Sequence, residues 1–274
     1  MRRHPAGPSN VAAPPETDRA PHGEGRVTVL AVGAVFVLWE VLVRLGVLSP
    51  IWLPAPSAIL AELARSTAEG ELPTHLGATI VRVVPGLLLG VVPGLVLGLL
   101  MGWSPRLRRA VDPVIAALHP LPKIAILPLF MLVFGIGEAS RIAVIAVAAF
   151  FPILISAMAG AREISHLYFE VAENYGADRR AVFRRVVVPG SLPSALGGLR
   201  ISVNAALTVG IAVEIIVADR GLGSLVWLSW EVLRTELLYA TLLMIALVGL
   251  GLNAGLASLR ERLIPWEPER SSSG

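Results

Sequence analysis

Apolar and polar positions in this chain of 274 residues alternate in long blocks rather than residue by residue. Leu, Val, Ala, Ile and Gly run on for roughly 20 positions at a time, the length a helix needs to cross a bilayer core about 30 Å thick. Backbone groups in lipid must be bonded internally, so only helices or a closed barrel can span. Barrel strands would alternate every second residue, and these runs do not. The pattern predicts an all-α polytopic membrane protein with about six spans, near 27–48, 79–102, 111–134, 141–160, 197–218 and 237–258. The first holds Glu40 and Arg44 one turn apart, and the third is interrupted by Pro113, Pro120, Pro122 and Pro128.

The polar blocks supply the topology. Residues 1–26, rich in Pro, Gly and charge, read as a disordered cytoplasmic tail, and 265–274 as a second one, leaving a transmembrane domain over 27–264. With the N-terminus inside, 15 basic residues fall on the cytoplasmic side (Arg2, Arg3, Arg19, Arg26, Arg106, Arg108, Arg109, Arg162, Arg179, Arg180, Arg184, Arg185, Arg260, Arg262, Arg270). Four fall outside (Arg65, Arg141, Arg220, Arg234). That imbalance predicts both termini in the cytoplasm. Composition agrees: 55% hydrophobic, 16% charged, mean hydropathy +0.72, and no Cys to build a disulfide framework or thiolate metal site. The net charge of +3 follows from the inside arginines, and no aromatic-interleaved basic patch points to nucleic acid.

One polar block is longer and more ordered than a connection requires. "EVAENYGADRRAVFRRVVVPGSLP" (170–193) lies in the cytoplasmic segment 161–196, between spans four and five. Phe169, Ala172, Tyr175 and Gly176 recur at helical spacing, so a short amphipathic helix broken or capped by Gly176 is expected. A second short helix follows in "ADRRAVFRRVVV", closed by Pro189. A helix–Gly–helix hairpin with an apolar stripe suits docking into a partner's groove.

At these residues the chain resembles the integral-membrane permease subunit of an ABC importer. That family carries Glu-Ala-Ala, a Gly four residues on, and a downstream Leu-Pro; here stand Glu170, Val171, Ala172, Gly176, Leu192 and Pro193, with Val171 a larger residue in the middle place. "LPAPSAIL" (53–60), "HPLPKIAILPLFMLVFGIGEASR" (119–141), "AFFPILI" (149–155), "FRRVVVPGSLPSALGGLRI" (183–201) and "AVEIIVADRGLGSLV" (212–226) are similar to the nitrate/sulfonate/taurine/bicarbonate-type permeases. The resemblance implies a bacterial plasma (inner) membrane protein, probing its partner with a coupling helix. Glu170, Ala172, Gly176, Arg179, Arg180, Pro189, Leu192 and Pro193 would lie at or near a cytoplasmic ATPase that binds the ATP. An extracytoplasmic solute-binding protein would deliver a small anion, and a second copy would complete the pathway. The arginines have a plainer reading as positive-inside charge facing lipid headgroups.

Chemistry of its own is not evident in the chain. The sole lysine, Lys123, lies between Pro122 and Ile124, so no phosphate-binding Gly-Lys-Ser/Thr exists. The five histidines are scattered, with no metal-binding or protease spacing, and no Gly-x-Ser-x-Gly elbow is present. The expectation is a transport subunit, not an enzyme, with no cofactor or metal of its own; an ion-gradient-driven secondary transporter is the alternative. Within the spans, Gly86, Gly90, Gly94, Gly98 and Gly102 recur every four residues, a face on which another helix, or a second copy, can approach closely. Asn204, Thr208 and Glu214 in span five, and Lys123 among the prolines of span three, are candidates for the translocation path. Glu214 has the competing reading of a buried acid paired with Arg82 or Arg141, and Lys123 that of a side chain reaching for the membrane surface.

Overall fold

The structure, a computed structural model, describes residues 24–264. The two tails expected to be disordered lie outside the described residues, except that helix α1 (Glu24–Arg44) begins three residues before the expected boundary. All regular structure among the described residues is helical. Among the described residues four helices are long and apolar enough to cross a membrane: α3 (Glu71–Trp103), α6 (Glu138–Glu163), the run Arg179–Val217, and α11 (Thr235–Leu263). The six-span count is not confirmed. A fifth crossing exists only if α4 (Pro105–Leu118) is joined to Lys123–Phe134, and these two pieces are bent 93° apart.

That bend corrects the straight span expected over 111–134. Pro120 and Pro122 deny the backbone the N–H groups that would carry α4 onward. The chain turns, takes a 3₁₀ turn over Lys123–Ile126, and restarts as α5 (Leu127–Phe134) with Pro128 in its first turn, where a missing N–H is harmless. Pro113 by contrast sits inside α4 without ending it.

The core is three helices, α3, α6 and the Arg179–Val217 run, with α6 between the other two. α3 has 33 residues, so it is about 50 Å long at 1.5 Å per residue and exceeds the hydrocarbon core. The glycine stripe sits against α6. A Cβ on Gly90 would stand 2.2 Å from the Ala146 carbonyl oxygen, and one on Gly98 2.4 Å from that of Leu154. Gly86, Gly94 and Gly102 face Ile145, Ile153 and Ala161 in the same way. Removing the side chain brings the two backbones into dispersion contact along the whole seam, in a medium where burial of apolar surface supplies no drive. The second interface of α6 uses the same device: Gly198 sits on Ser156 and Gly160 on Ser194, while Ser202 donates to the Ala149 carbonyl at 2.7 Å.

Outside this core, α2 (Pro56–Ala68) and α10 (Leu222–Glu231) are short helices that the hydropathy pattern does not announce. They pack with α11 at one end of the bundle around Leu72, Leu222, Leu225 and Leu237. The segment 220–226 therefore opens α10. Leu88, Leu89, Val92 and Val96 of α3, and Leu247 and Leu250 of α11, remain exposed, an apolar exterior suited to lipid or to another chain.

Candidate functional site

The segment 161–196 is not an open loop. Its first residues finish α6, and α7 (His166–Asn174) follows after a two-residue break. The chain then turns and enters α8 (Arg179–Val182), which continues through a π-helical turn (Phe183–Val187) into α9 (Val188–Val217). The second helix is not closed at Pro189, as the sequence suggested. Pro189 occupies the first turn of α9, and the wide π turn before it absorbs the mismatch in hydrogen bonding. Leu192 and Pro193 thus lie half-buried on a long helix rather than in a connection.

The turn between α7 and α8 is closed by backbone bonds. Gly176 N–H donates to the Glu173 carbonyl at 2.9 Å, and Ala177 N–H to the Ala172 carbonyl at 3.0 Å. These are the two bonds of a Schellman cap, which places one residue in the left-handed region; Gly176 has φ +71°. Ala172 is the third residue from the helix end and faces Ala177 across the cap, so the spacing Ala-x-x-x-Gly is the spacing of the cap itself. Asp178 then accepts from Ala181 N–H at 2.7 Å and starts α8. Phe169 and Phe183, one from each helix, hold the hairpin down on Trp103 of α3, with ring centroids 6.0 and 6.2 Å away.

Those anchors leave an outer surface of mixed character. Leu167, Tyr168 and Val171 are exposed, and Tyr175 at the tip is 89% exposed. Glu170 lies exposed beside them, its Oε1 3.0 Å from His166 Nδ1. Arg179, Arg180, Arg184 and Arg185 ring the same surface and are all exposed. A cleft of about 510 Å³ runs beneath the hairpin, between Ile164 and Tyr168 on one side and Arg185, Val186 and Pro189 on the other.

At the opposite end of the bundle the structure gathers a polar cluster. Glu214 is 1% exposed and Arg82 5%. Arg82 donates from Nη1 to Glu214 at 2.9 Å and grips Glu138 from Nε and Nη2 at 2.6 and 2.9 Å. The second Glu214 oxygen accepts from Thr79 at 2.9 Å and from Gly223 N–H at 3.0 Å. Arg82 also donates to the Arg220 carbonyl, and Arg141 to Glu138 and the Val217 carbonyl. A buried acid with a cation and two further donors is a tie between α3, α6, α9 and the α9–α10 turn. Of the two sequence readings of Glu214, this geometry fits the paired acid.

Lys123 is similarly engaged. Its Nζ donates to the carbonyls of Leu118, His119 and Leu121 and lies 4.5 Å from the Phe151 ring centroid. It caps the end of α4, where a cation meets both unsatisfied carbonyls and the negative end of the helix dipole. Asn204 and Thr208 are placed differently, on the exposed face of α9. Asn204 accepts from Asn253 of α11 at 2.9 Å, and Asn253 accepts from Arg200 Nε at 3.1 Å. Sequence reasoning missed Arg200 and Asn253. A signal existed: with 15 and four of the 23 basic residues assigned to the two sides, Arg200 is one of four left within the spans.

Long apolar helices, close helix seams and an exposed hairpin at one end define a membrane-embedded helical subunit. Residues 94–266 match the family model of the binding-protein-dependent transport system inner membrane component, and the chain belongs to that family of ABC transporter permeases. It is 36% identical over 252 residues to the taurine transport system permease protein TauC of Escherichia coli K12, covering 89% of this chain and 92% of the relative. It is 32% identical to the putative aliphatic sulfonates transport permease protein SsuC of Bacillus subtilis, over 87% of this chain and 86% of that one. It is 35% identical to the formylaminopyrimidine transport permease protein ThiX of Halalkalibacterium halodurans, over 86% and 94%. Its fold is shared with a chain of the MetNI methionine ABC transporter in an inward-facing conformation, at TM-score 0.59 and 19% identity, over 68% of this chain and 92% of that one.

Proposed function

We propose that this permease subunit carries a small sulfonate or related organic anion inward, two copies forming the path and a cytoplasmic ATPase driving it. The α7–α8 hairpin is the contact with that ATPase. The observation that carries the reading is the hairpin's construction: a rigid capped turn, anchored on Trp103, with Leu167, Tyr168, Val171 and Tyr175 left uncovered. An exposed apolar patch rimmed by charge is a docking surface, and a hairpin continuous with α9 transmits a push along a helix of 39 residues. The sulfonate cargo is supported by the names of the taurine and aliphatic sulfonate relatives. Family membership supports an extracytoplasmic solute-binding protein as the donor. The arginine imbalance supports cytoplasmic termini, which puts the hairpin and its arginines on the ATPase side. With Lys123 the sole lysine, a phosphate-binding loop has no place in this chain, so ATP belongs to the partner.

The test is co-purification. The tagged chain is expressed in its own host, solubilised in mild detergent, and its partners are identified by mass spectrometry beside a Glu170→Arg control. An ATPase subunit that accompanies the parent chain and is lost with the control supports the reading. A well-folded preparation with no ATPase in either sample refutes it and favours a gradient-driven transporter.

A further inference from the structure

We propose that Arg200 is the anion-selecting group of the translocation path, held in place by Asn253 and continued by Asn204 and Thr208. This rests on the proposed importer function and names the residue that would set its cargo's charge. Arg200, Asn204 and Thr208 follow one another at intervals of four on α9, and all three are exposed. The opposite face of the same helix buries Ser202, Val203, Ala206, Gly210 and Val213 in the bundle. The stripe is therefore a polar line on the outside of this chain, on a helix whose other face is core.

Its depth makes that position informative. Arg200 lies 15 residues beyond Arg185 and 20 before Arg220, and its partner Asn253 lies 7 before Arg260 on α11, so about 22, 30 and 10 Å from those polar ends at 1.5 Å per residue. A cation at such depth on a lipid-facing surface is strongly disfavoured, and such groups face a wet cavity or a protein partner. No acid neutralises it: among the described residues no ion pair includes Arg200. Among the described residues its side chain makes one hydrogen bond, from Nε to Asn253 Oδ1 at 3.1 Å. Both terminal amino groups, the fork that grips a sulfonate or carboxylate, are left to the open side. They border a groove of about 380 Å³ between α9 and α11, lined also by Leu196, Gly197, Leu250, Ala254 and, from the last turn of α11, a second cation, Arg260. Asn253 cannot swing away without losing its bonds to Asn204 and the Gly249 carbonyl, at 2.9 and 2.8 Å, so the guanidinium is aimed. Lys123, the other free-standing cation of the spans by sequence, is spent on the end of α4.

The chain has no Cys, so a single introduced thiol is a clean reporter. Gly197→Cys, one helical turn from Arg200 on the same groove and with nothing within 4 Å of its Cβ, would be labelled in native membrane vesicles with two impermeant methanethiosulfonates, the sulfonatoethyl anion and the trimethylammonioethyl cation. A positive charge about 6 Å away in water shifts the anion-to-cation rate ratio about tenfold. The ratio should fall by about that factor on adding Arg200→Gln and persist with Arg200→Lys. A thiol that reacts with neither reagent places the stripe against lipid, headgroup contact included, and overturns the proposal. A ratio indifferent to Arg200→Gln overturns it as well. Neither readout requires an ATPase or a cargo, so failure here is separable from failure of the importer reading, which the co-purification decides.

Discussion

The α3–α6 seam gives the most direct test of the packing. Gly90→Ala places a Cβ 2.2 Å from the Ala146 carbonyl oxygen and 2.9 Å from the Ala149 Cβ, where ordinary contact begins at 3.4 Å. The obstacle is backbone of a helix that is itself packed on α9, so it cannot yield as a side-chain tip would. The two helices must part by more than 1 Å. Overpacking of this kind costs about 1–3 kcal/mol. Ala in place of Gly in a helix returns about 0.5–1 kcal/mol. The net loss is about 0–2.5 kcal/mol, centred near 1, which at about 2–4 °C per kcal/mol lowers the midpoint by a few degrees; against a control that keeps only the propensity gain, the full difference is about 1–3 kcal/mol. Gly77→Ala is the internal control, on the same helix with nothing within 4 Å of its Cβ. It keeps the propensity gain without the clash and should match or slightly exceed the parent. The assay is the fraction of monodisperse protein recovered from detergent after graded heating. Equal stability of Gly90→Ala and Gly77→Ala would refute the close approach of α3 and α6.

Three further outcomes follow from other parts of the structure. Arg82→Leu leaves Glu214 buried without its cation and should cost about 3–5 kcal/mol, while Arg82→Leu with Glu214→Leu should recover much of it in the same heating assay; no recovery would mean the cluster is not a pair. Gly176→Val meets no neighbour, so its penalty is the left-handed backbone alone, about 1–2 kcal/mol; faster proteolysis at the hairpin than for Gly176→Asn is expected, and equal rates would refute the cap. On α2, hydrogen bonding from Arg65 holds the Glu62 carboxylate below its ordinary range. A depressed folded-state pKa contributes stability above the ordinary carboxylate pKa that fades as pH falls through and below it. The parent should therefore lose slightly more stability than Glu62→Gln on acidification towards pH 4, and parallel curves would show that this pair contributes nothing.

Some of this protein is written in its one-dimensional pattern. Continuous apolar runs fix helices, because in lipid no other open structure satisfies the backbone. The interval Ala172 to Gly176 is legible as a helix end, and the four-residue glycine interval as a face for close approach, since both depend on local periodicity alone. Tertiary structure alone decided the remainder. That the glycines meet α6, and not some other helix, depends on residues 55 and more positions away. Glu214 reads as a path residue or a paired acid until Arg82 and Thr79 arrive from a helix some 130 positions earlier. The bend at Pro120 and Pro122 was visible as an interruption, yet its 93° angle and the return of Lys123 onto the freed carbonyls belong to the tertiary structure. Arg200 was hidden most completely. Its meaning comes from which face of α9 is buried and from Asn253 across the groove, and pairings between distant helices leave no trace in local spacing.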